Sequence, residues 1–211
     1  MSSTSNTTFD IDRDQGAWAV RHAREVVTEA VEDGTKPSVP EDPDPVFGIE
    51  SGAFVTLRKG GELCGCIGRP RPTQTLLEAL RSAAFGAATD DPRFPPVKPR
   101  ELPELTVEVS LLSPPEAIES VEPETVIVGR DGLIVERDRR SGLLLPQVPV
   151  DQGWTAKEFL AGTCRKAGLP EDCWKQSGTR VERFEAQVFE ETEPAGPVQP
   201  VEDVSTGDRD E

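Results

Sequence analysis

The sequence predicts an α+β fold in which a mostly antiparallel sheet is flanked by helices. Segments with helical periodicity and segments with strand alternation follow one another irregularly, and neighbouring strands are joined by tight turns rather than by crossover helices. At 211 residues the chain is long enough to bury a substantial core, as one domain or as two lobes of one fold.

The chain opens with a predicted helix and an extended connector. Residues 14–31 place apolar or small side chains along one stripe, opposite charged residues, which is typical of an amphipathic helix that stops at Gly34. Residues 35–48 contain four prolines and several acids, so this stretch is predicted to be extended. Residues 1–13 are predicted to form a flexible N-terminus.

A β-hairpin with a two-residue turn at Gly60-Gly61 follows the connector. In that register Cys66 pairs with Val55, and Cys64 pairs with Leu57. Side chains two apart on a strand share a face, so both cysteines are predicted to lie on an apolar face of the sheet.

The rest of the chain continues the same mixture of elements. Three prolines stiffen a loop at residues 90–96 and exclude both a helix and a central strand there. Residues 191–211 are acidic and rich in proline, and are predicted to be a disordered tail. The predicted strands are 53–58, 62–67, 105–112, 133–137, 142–145 and 180–190, and the further predicted helices are 73–89 and 155–167.

The composition argues against several kinds of partner. A formal net charge of −16 and a pI of about 4.5 disfavour nucleic acid and anionic membrane surfaces. Only −6 of that charge lies in residues 191–211, so the folded body is itself acidic. The scarcity of lysine and the absence of tyrosine resemble proteins from organisms that keep concentrated salt in the cytosol.

The sequence also predicts a location and a redox state. Residues 1–8 lack the apolar run of a signal peptide, and no segment approaches the roughly 20 apolar residues of a membrane span, so a cytoplasmic protein is expected. Its four cysteines are then expected to be reduced. Their spacing matches no usual zinc site, so neither a metal nor another cofactor is predicted.

Cys64 and Cys66 are candidate chemical groups, and two interpretations of them remain open. Packing is the ordinary role of a cysteine on an apolar face. Gly65 and Gly68 favour a site, because glycine in a strand marks a bulge or the close approach of a ligand or another backbone. His22 is the only histidine and lies among arginines, so acid–base chemistry is expected to fall mainly to carboxylates.

Two arginines near these cysteines are candidate anion binders. Arg69 directly follows Gly68, and Arg93 lies in the proline-stiffened loop, which would pre-organise its guanidinium for a carboxylate or phosphate. An ordinary ion pair on an acidic surface is the alternative for both.

Several short motifs occur in an order that is specific as a set. They span roughly residues 14–190, and together they resemble the AMME-syndrome chromosomal-region protein family, whose prokaryotic members are called AmmeMemoRadiSam system protein A. This chain has Cys64 where the family usually has arginine. The motifs are residues 52–57, Gly65-Cys66-Ile67-Gly68, residues 89–97, 108–112, 144–148, Trp154, and residues 163–168 and 184–187.

The resemblance implies a single domain over residues 14–190 with two lobes, the larger built from both chain ends, and a cleft near the Gly-Cys-Ile-Gly segment. It implies no established reaction, and the expected partners are Memo-type and radical-SAM proteins. The candidate catalytic residue within the motifs is Cys66. The candidate ligand-binding residues are Gly65, Gly68, Arg69, Asp91, Arg93, Phe94 and Gln147.

Two hypotheses about function follow, and the first is favoured. The protein is a binding or accessory component, as the apolar pairing of the cysteines, the single histidine and the lack of a cofactor fingerprint indicate. The alternative is a cysteine-dependent enzyme in which Cys66 is the nucleophile or covalent carrier, Arg93 holds an anionic group and a carboxylate relays protons. Exposure of the Cys66 sulfur to solvent would favour the enzyme.

The acidity generates a prediction about salt. Concentrated salt screens the repulsion between the acidic side chains, so the protein is expected to melt at a lower temperature in dilute buffer than in molar KCl. Thermal unfolding followed by circular dichroism in both solutions measures the difference, and equal melting temperatures contradict the prediction.

Overall fold

A computed structural model describes residues 9–201 and confirms the predicted α+β fold. The chain divides into two compact units, a larger one from residues 9–114 with 187–201 and a smaller one from residues 115–186. None of the helices within residues 9–201 is long and apolar enough to cross a membrane. The α-helices are α1 (Arg13–Glu32), α2 (Leu76–Thr89), α3 (Gln147–Asp151) and α4 (Ala156–Lys166). The strands are β1 (Ala53–Lys59), β2 (Glu62–Arg69), β3 (Leu105–Leu112), β4 (Glu116–Ala117), β5 (Gly132–Arg137), β6 (Arg140–Leu144), β7 (Arg180–Phe184), β8 (Ala186–Glu191) and β9 (Val198–Pro200).

The larger unit is a five-stranded sheet with two helices packed on one face. Its strand order is β2-β1-β3-β8-β9, and β1 pairs antiparallel with both β2 and β3. Because side chains alternate along a strand, one set from β1 and β3 points at α1 and α2 and is fully buried. This set includes Val55, Leu57, Val107 and Val109.

Both long helices of this unit begin at capping boxes. Asp12 accepts a hydrogen bond from the Gln15 backbone N–H at the start of α1, and Thr75 accepts one from that of Glu78 at the start of α2. The second helix was predicted to begin at Thr73, after a proline. It begins three residues later, because Thr75 supplies the capping hydroxyl.

A buried ion pair fixes the C-terminal strand to the rest of the larger unit. The Glu191 side chain is 2% exposed, pairs with Arg24 of α1 and accepts the backbone N–H of Val107 at 2.9 Å. The chain then turns back and forms β9, which pairs with β8. The predicted disordered tail is therefore wrong for residues 191–201, and residues 202–211 lie outside the described part of the chain.

The N-terminal prediction also changes at its inner end. Ile11 is 3% exposed and its backbone N–H donates to the Gln187 side chain at 2.7 Å, so this segment is an ordered part of the larger unit. Residues 1–8 lie outside the described range.

The smaller unit is a four-stranded antiparallel sheet with strand order β4-β7-β5-β6, and α4 packs against β5 and β6. The second predicted hairpin is present, with a tighter turn than expected. Arg137 pairs with Arg140, which leaves Asp138 and Arg139 as a two-residue turn. Asp138 has a φ of 56°, a left-handed conformation that Asp tolerates better than most residues.

The predicted final strand over residues 180–190 is present as two strands rather than one, because the chain changes sheet at Glu185. The part before this residue is β7 in the smaller unit, and the part after it is β8 in the larger unit. Strand alternation continues across the junction, so the residue pattern alone contains no mark of the change.

The expectation that all four cysteines are reduced is also wrong. Cys164 of α4 and Cys173, which begins a short 3-10 helix, form a disulfide inside the smaller unit, and both side chains are fully buried. Their Cα atoms lie 6.1 Å apart, within the range that a disulfide can bridge. Cys64 and Cys66 are free thiols.

The single histidine is part of the core of the larger unit. His22 is 4% exposed, stacks on Trp18 and lies between Glu25 on its own helix and Arg81 of α2, each 3.3 Å from one ring nitrogen. Arg81 can only donate, so Nε2 of His22 accepts and the ring is neutral. Arg81 also donates to the Ser38 carbonyl at 3.1 Å, which fixes the proline-rich connector to the helices.

This environment generates a prediction about pH. Burial, assisted by the Arg81 charge and opposed by Glu25, lowers the pKa of His22 below its ordinary value of 6.5. The unfolded chain therefore takes up a proton near pH 6.5 before the folded protein does, so stability is complete above that pH and falls below it. We expect the melting temperature in molar KCl to decrease between pH 7.5 and pH 5.5.

The variant His22→Gln is the control, because His22 is the only side chain of its type in the sequence. The decrease should be absent or much smaller in this variant. An equal decrease in both proteins would show that another group causes it.

Candidate functional site

The position of Cys66 depends on a β-bulge in the first hairpin. The Gly60-Gly61 turn is present, and Lys59 pairs with Glu62 as predicted. The register then shifts by one residue on β2, which leaves Cys64 as the extra residue of the bulge. Cys66 therefore pairs with Thr56 rather than with Val55, and the prediction of a shared apolar face was wrong.

Packing against α2 explains why the register shifts. With the bulge, Gly65 lies against the helix, where an added Cβ would be only 2.2 Å from the Ala87 carbonyl oxygen. Ile67 packs beside Gly86 of the same helix. A regular hairpin would reverse the faces of β2 and place neither residue against α2.

The bulge places Cys66 in a polar row on the other face of the sheet. Thr56 lies between Cys66 on β2 and Glu108 on β3, directly opposite both. The Thr56 hydroxyl donates to the Cys66 sulfur at 3.5 Å, and Thr56 is also close enough to the Glu108 carboxylate to lower its pKa. Thr56 is 8% exposed, whereas Cys66 and Glu108 are half-buried. We call Cys66, Thr56 and Glu108 the thiol row.

The thiol row ends at a carboxylate with a raised pKa. Desolvation is the main cause of the increase at Glu108, and the nearby Glu190 charge adds to it. Arg58, whose Nε is 3.9 Å from the carboxylate, and the hydrogen bond from Thr56 act in the opposite direction. A carboxylate with a raised pKa is a stronger base than an ordinary glutamate.

The backbone of Cys66 is held by an ion pair from the proline-stiffened loop. Asp91, whose side chain is 2% exposed, accepts the Cys66 N–H at 2.8 Å, and Arg93 Nη2 donates to the Cys66 carbonyl at 2.8 Å. Arg93 also donates to Asp91 through Nε at 3.0 Å and Nη2 at 2.8 Å. We call Asp91 and Arg93 the edge clamp, because β2 is an edge strand and the clamp occupies the groups that an edge leaves unpaired.

Electrostatics within the edge clamp favour the charged forms of both side chains. The hydrogen bonds from Arg93 hold the pKa of Asp91 well below its usual range. Asp91 in turn raises the pKa of Arg93, with a smaller contribution from Cys66.

Cys64 differs from Cys66 in its surroundings. Its thiol donates to the Leu57 carbonyl at 3.3 Å and its side chain packs against the core of the larger unit. Burial raises its pKa, which makes Cys64 less reactive than an ordinary thiol at neutral pH.

The remaining predicted site residues have separate positions. The Phe54 ring covers Gly68, and the Phe94 ring lies 5.3 Å from the Arg93 guanidinium. Arg69 is exposed at the end of β2, on the opposite face from Cys66. Gln147 begins α3 in the smaller unit, and its buried Oε1 has no hydrogen-bond partner within residues 9–201.

Two members of the thiol row were not singled out by the sequence. The sequence predicts Thr56 only as a strand residue, and no spacing in it distinguishes Glu108 from the other carboxylates. Each is a polar residue between two buried apolar ones, Val55 and Leu57 for the first and Val107 and Val109 for the second. Once β1 and β3 are paired, that alternation places both on the face away from the helices.

Comparison with other proteins places this architecture in a family. The AMMECR1 family model matches residues 20–189. A protein of Thermococcus gammatolerans is 52% identical over 198 residues, which cover 90% of this chain and 97% of that protein. A protein of Methanothermobacter thermautotrophicus is 51% identical over 185 residues, covering 86% of this chain and 96% of that protein.

A solved structure has the same fold. The crystal structure of uncharacterized protein PH0010 from Pyrococcus horikoshii matches with a TM-score of 0.81 and 48% identity, over 90% of this chain and 98% of that chain. The chain is an α+β protein with two antiparallel sheets. It belongs to the AMMECR1 family.

The edge clamp generates a prediction about stability. The variant Asp91→Asn removes the charge from a buried acceptor of four hydrogen bonds, so we expect a loss on the order of 1–3 kcal/mol in the free energy of unfolding. Urea unfolding measures it. The matched control is Asp90→Asn at the exposed neighbouring position, for which little change is expected. Equal stability of wild type and Asp91→Asn would contradict the structural role given to the clamp.

Proposed function

We propose that the thiol row carries out thiol-dependent group transfer, with Cys66 forming a covalent bond to an electrophilic carbon. The observation that supports this is that a thiol, a hydroxyl and a carboxylate lie side by side on three adjacent strands. The Cys66 sulfur is 3.5 Å from the Thr56 hydroxyl. Cys66 is half-buried on the face away from the helices, so its sulfur is not part of the apolar core.

The row supplies a route for the thiol proton. A threonine hydroxyl has one hydrogen, which Thr56 donates to the Cys66 sulfur in the structure. Rotation of the hydroxyl would direct this hydrogen to the neighbouring Glu108 carboxylate. The oxygen of Thr56 is then free to accept the Cys66 proton. As sulfur bonds to carbon, the thiol proton moves to Thr56 and the Thr56 proton moves to Glu108, which later protonates the leaving group.

This arrangement replaces the usual partner of a catalytic cysteine. A histidine commonly takes the thiol proton in cysteine enzymes, but His22 is buried against Trp18 and Arg81. The raised pKa of Glu108 makes it the strongest candidate for that role in the row. Asp91 is unsuitable, because the edge clamp keeps it ionised and hydrogen-bonded to four donors.

Alkylation kinetics test the proposal. A Cys64→Ser background leaves Cys66 as the single free thiol, since Cys164 and Cys173 are bonded to each other. We expect iodoacetamide to modify Cys66 faster at pH 7 than it modifies the free thiol of N-acetylcysteine. A positioned proton acceptor contributes on the order of 100-fold in favourable cases, and we expect Thr56→Val and Glu108→Gln to slow the reaction by about tenfold or more.

The controls separate proton transfer from structure. Thr106→Val removes a hydroxyl from the same face of β3, opposite Arg58, and should leave the rate unchanged. In the wild-type protein, titration of Glu108 should give an inflection in the plot of alkylation rate against pH. This inflection should be absent from the same plot for the Glu108→Gln protein. A Cys66 that reacts no faster than N-acetylcysteine would overturn the proposal.

A second candidate function has a specific observation in its favour. Gly65, Gly68, Asp91 and Arg93 each have a packing or hydrogen-bonding role of their own, which is what a non-catalytic component would require of its motif residues. In this version the protein is an accessory component that acts in the cytoplasm with Memo-type and radical-SAM partners. The sequence resemblance alone supports those partners, and an unreactive Cys66 in the alkylation experiment would favour this candidate.

A further inference from the structure

Arg93 has hydrogen-bond donors beyond those that the edge clamp uses. A guanidinium carries five N–H donors. Within residues 9–201, Asp91 and the Cys66 carbonyl take three of them, from Nε and Nη2, which leaves the two on Nη1. The Arg93 side chain is 55% exposed, so these donors are accessible.

These donors are held rigidly at the Cys66 backbone. Two hydrogen bonds to Asp91 fix the plane of the guanidinium, a third joins it to the Cys66 carbonyl, and the Phe94 ring packs on it. The proline-stiffened loop restricts the backbone that carries it. Donors fixed in this way lose little entropy when an acceptor arrives.

The charge of the edge clamp indicates which acceptor it suits. Asp91 neutralises the positive charge of Arg93, and Glu108 lies nearby on the other side of Cys66. A substrate with a permanent negative charge thus gains little net attraction there. An oxygen on which charge develops only during the reaction is better matched, because oriented N–H donors stabilise it as the charge appears.

We infer that the substrate of the thiol row is an activated acyl compound, whose carbonyl oxygen accepts hydrogen bonds from Nη1 of Arg93. This inference rests on the proposed function. The Cys66 sulfur attacks the acyl carbon and forms a thioester, and the bond from that carbon to the leaving group breaks. The thiol proton passes through Thr56 to Glu108 and then to the leaving group, so the step needs no oxidant or reductant.

Acylation and alkylation of the same sulfur test the inference. The full chain with Cys64→Ser is treated with p-nitrophenyl acetate or with iodoacetamide, folded in molar KCl or unfolded in urea. We expect the ratio of acylation rate to alkylation rate to be higher by about tenfold or more in the folded protein than in the unfolded protein. This increase is smaller than the rate enhancement that one oxyanion donor typically gives an enzyme. Intact mass should show one acetyl group, absent from the Cys66→Ser protein.

An arginine variant gives a second measurement. Arg93→Lys should lower the acylation rate by about tenfold or more while changing the alkylation rate much less, since a lysine cannot present the same fork of donors. Arg100→Lys, at an exposed position seven residues further along, is the matched control and should change neither rate.

The outcomes distinguish the two proposals. One outcome is that the ratio of acylation rate to alkylation rate is equal in the folded and unfolded protein, while alkylation of Cys66 is still faster than alkylation of N-acetylcysteine. That outcome would overturn the acyl substrate but not the proposed function. If neither reagent modifies Cys66 faster than it modifies N-acetylcysteine, both the acyl substrate and the proposed function are overturned. The comparison with unfolded protein uses no arginine variant, so it decides the matter even if Arg93→Lys does not fold.

Discussion

The single extra residue in β2 is the constraint on which the rest of the candidate site depends. It places Gly65 and Ile67 against α2, and for the same reason turns Cys66 toward Thr56. The packing and the chemistry are therefore two results of one shift in register. Because strand faces alternate with a period of two, no smaller adjustment of the hairpin would satisfy both.

Cys66 has two separate roles in this structure, one for its backbone and one for its side chain. The edge clamp binds the backbone N–H and carbonyl of Cys66, closing an edge that another strand would otherwise pair with. The sulfur lies in the thiol row with Thr56 and Glu108. A loop that protects the sheet edge thus also holds the backbone of the residue that carries the sulfur, and it brings the Arg93 guanidinium to the Cys66 carbonyl.

Much of the fold could be predicted from the sequence, because local signals determine it. The stripe of α1, the Gly60-Gly61 turn and the alternation of β3 each depend on residues close together in the chain. What could not be predicted depends on contacts between distant segments. The bulge is selected by α2, the change of sheet at Glu185 by the cores of two different units, and the disulfide by the packing of α4 against the 3-10 helix at Cys173. The same limit applied to the thiol row, which could be assembled only after three strands had been paired in the correct register.

The bulge also changes how position 64 should be understood. The sequence resemblance implies arginine where this chain has Cys64, a difference that would lie close to the candidate nucleophile. In the structure that position adds length to the strand, and its side chain contacts the Leu57 carbonyl and the edge of the core rather than the thiol row. A substitution at residue 64 therefore changes one side chain and keeps the register of the hairpin. Deletion of residue 64 would remove the bulge and move the side chain of every later residue of β2 to the opposite face of the sheet.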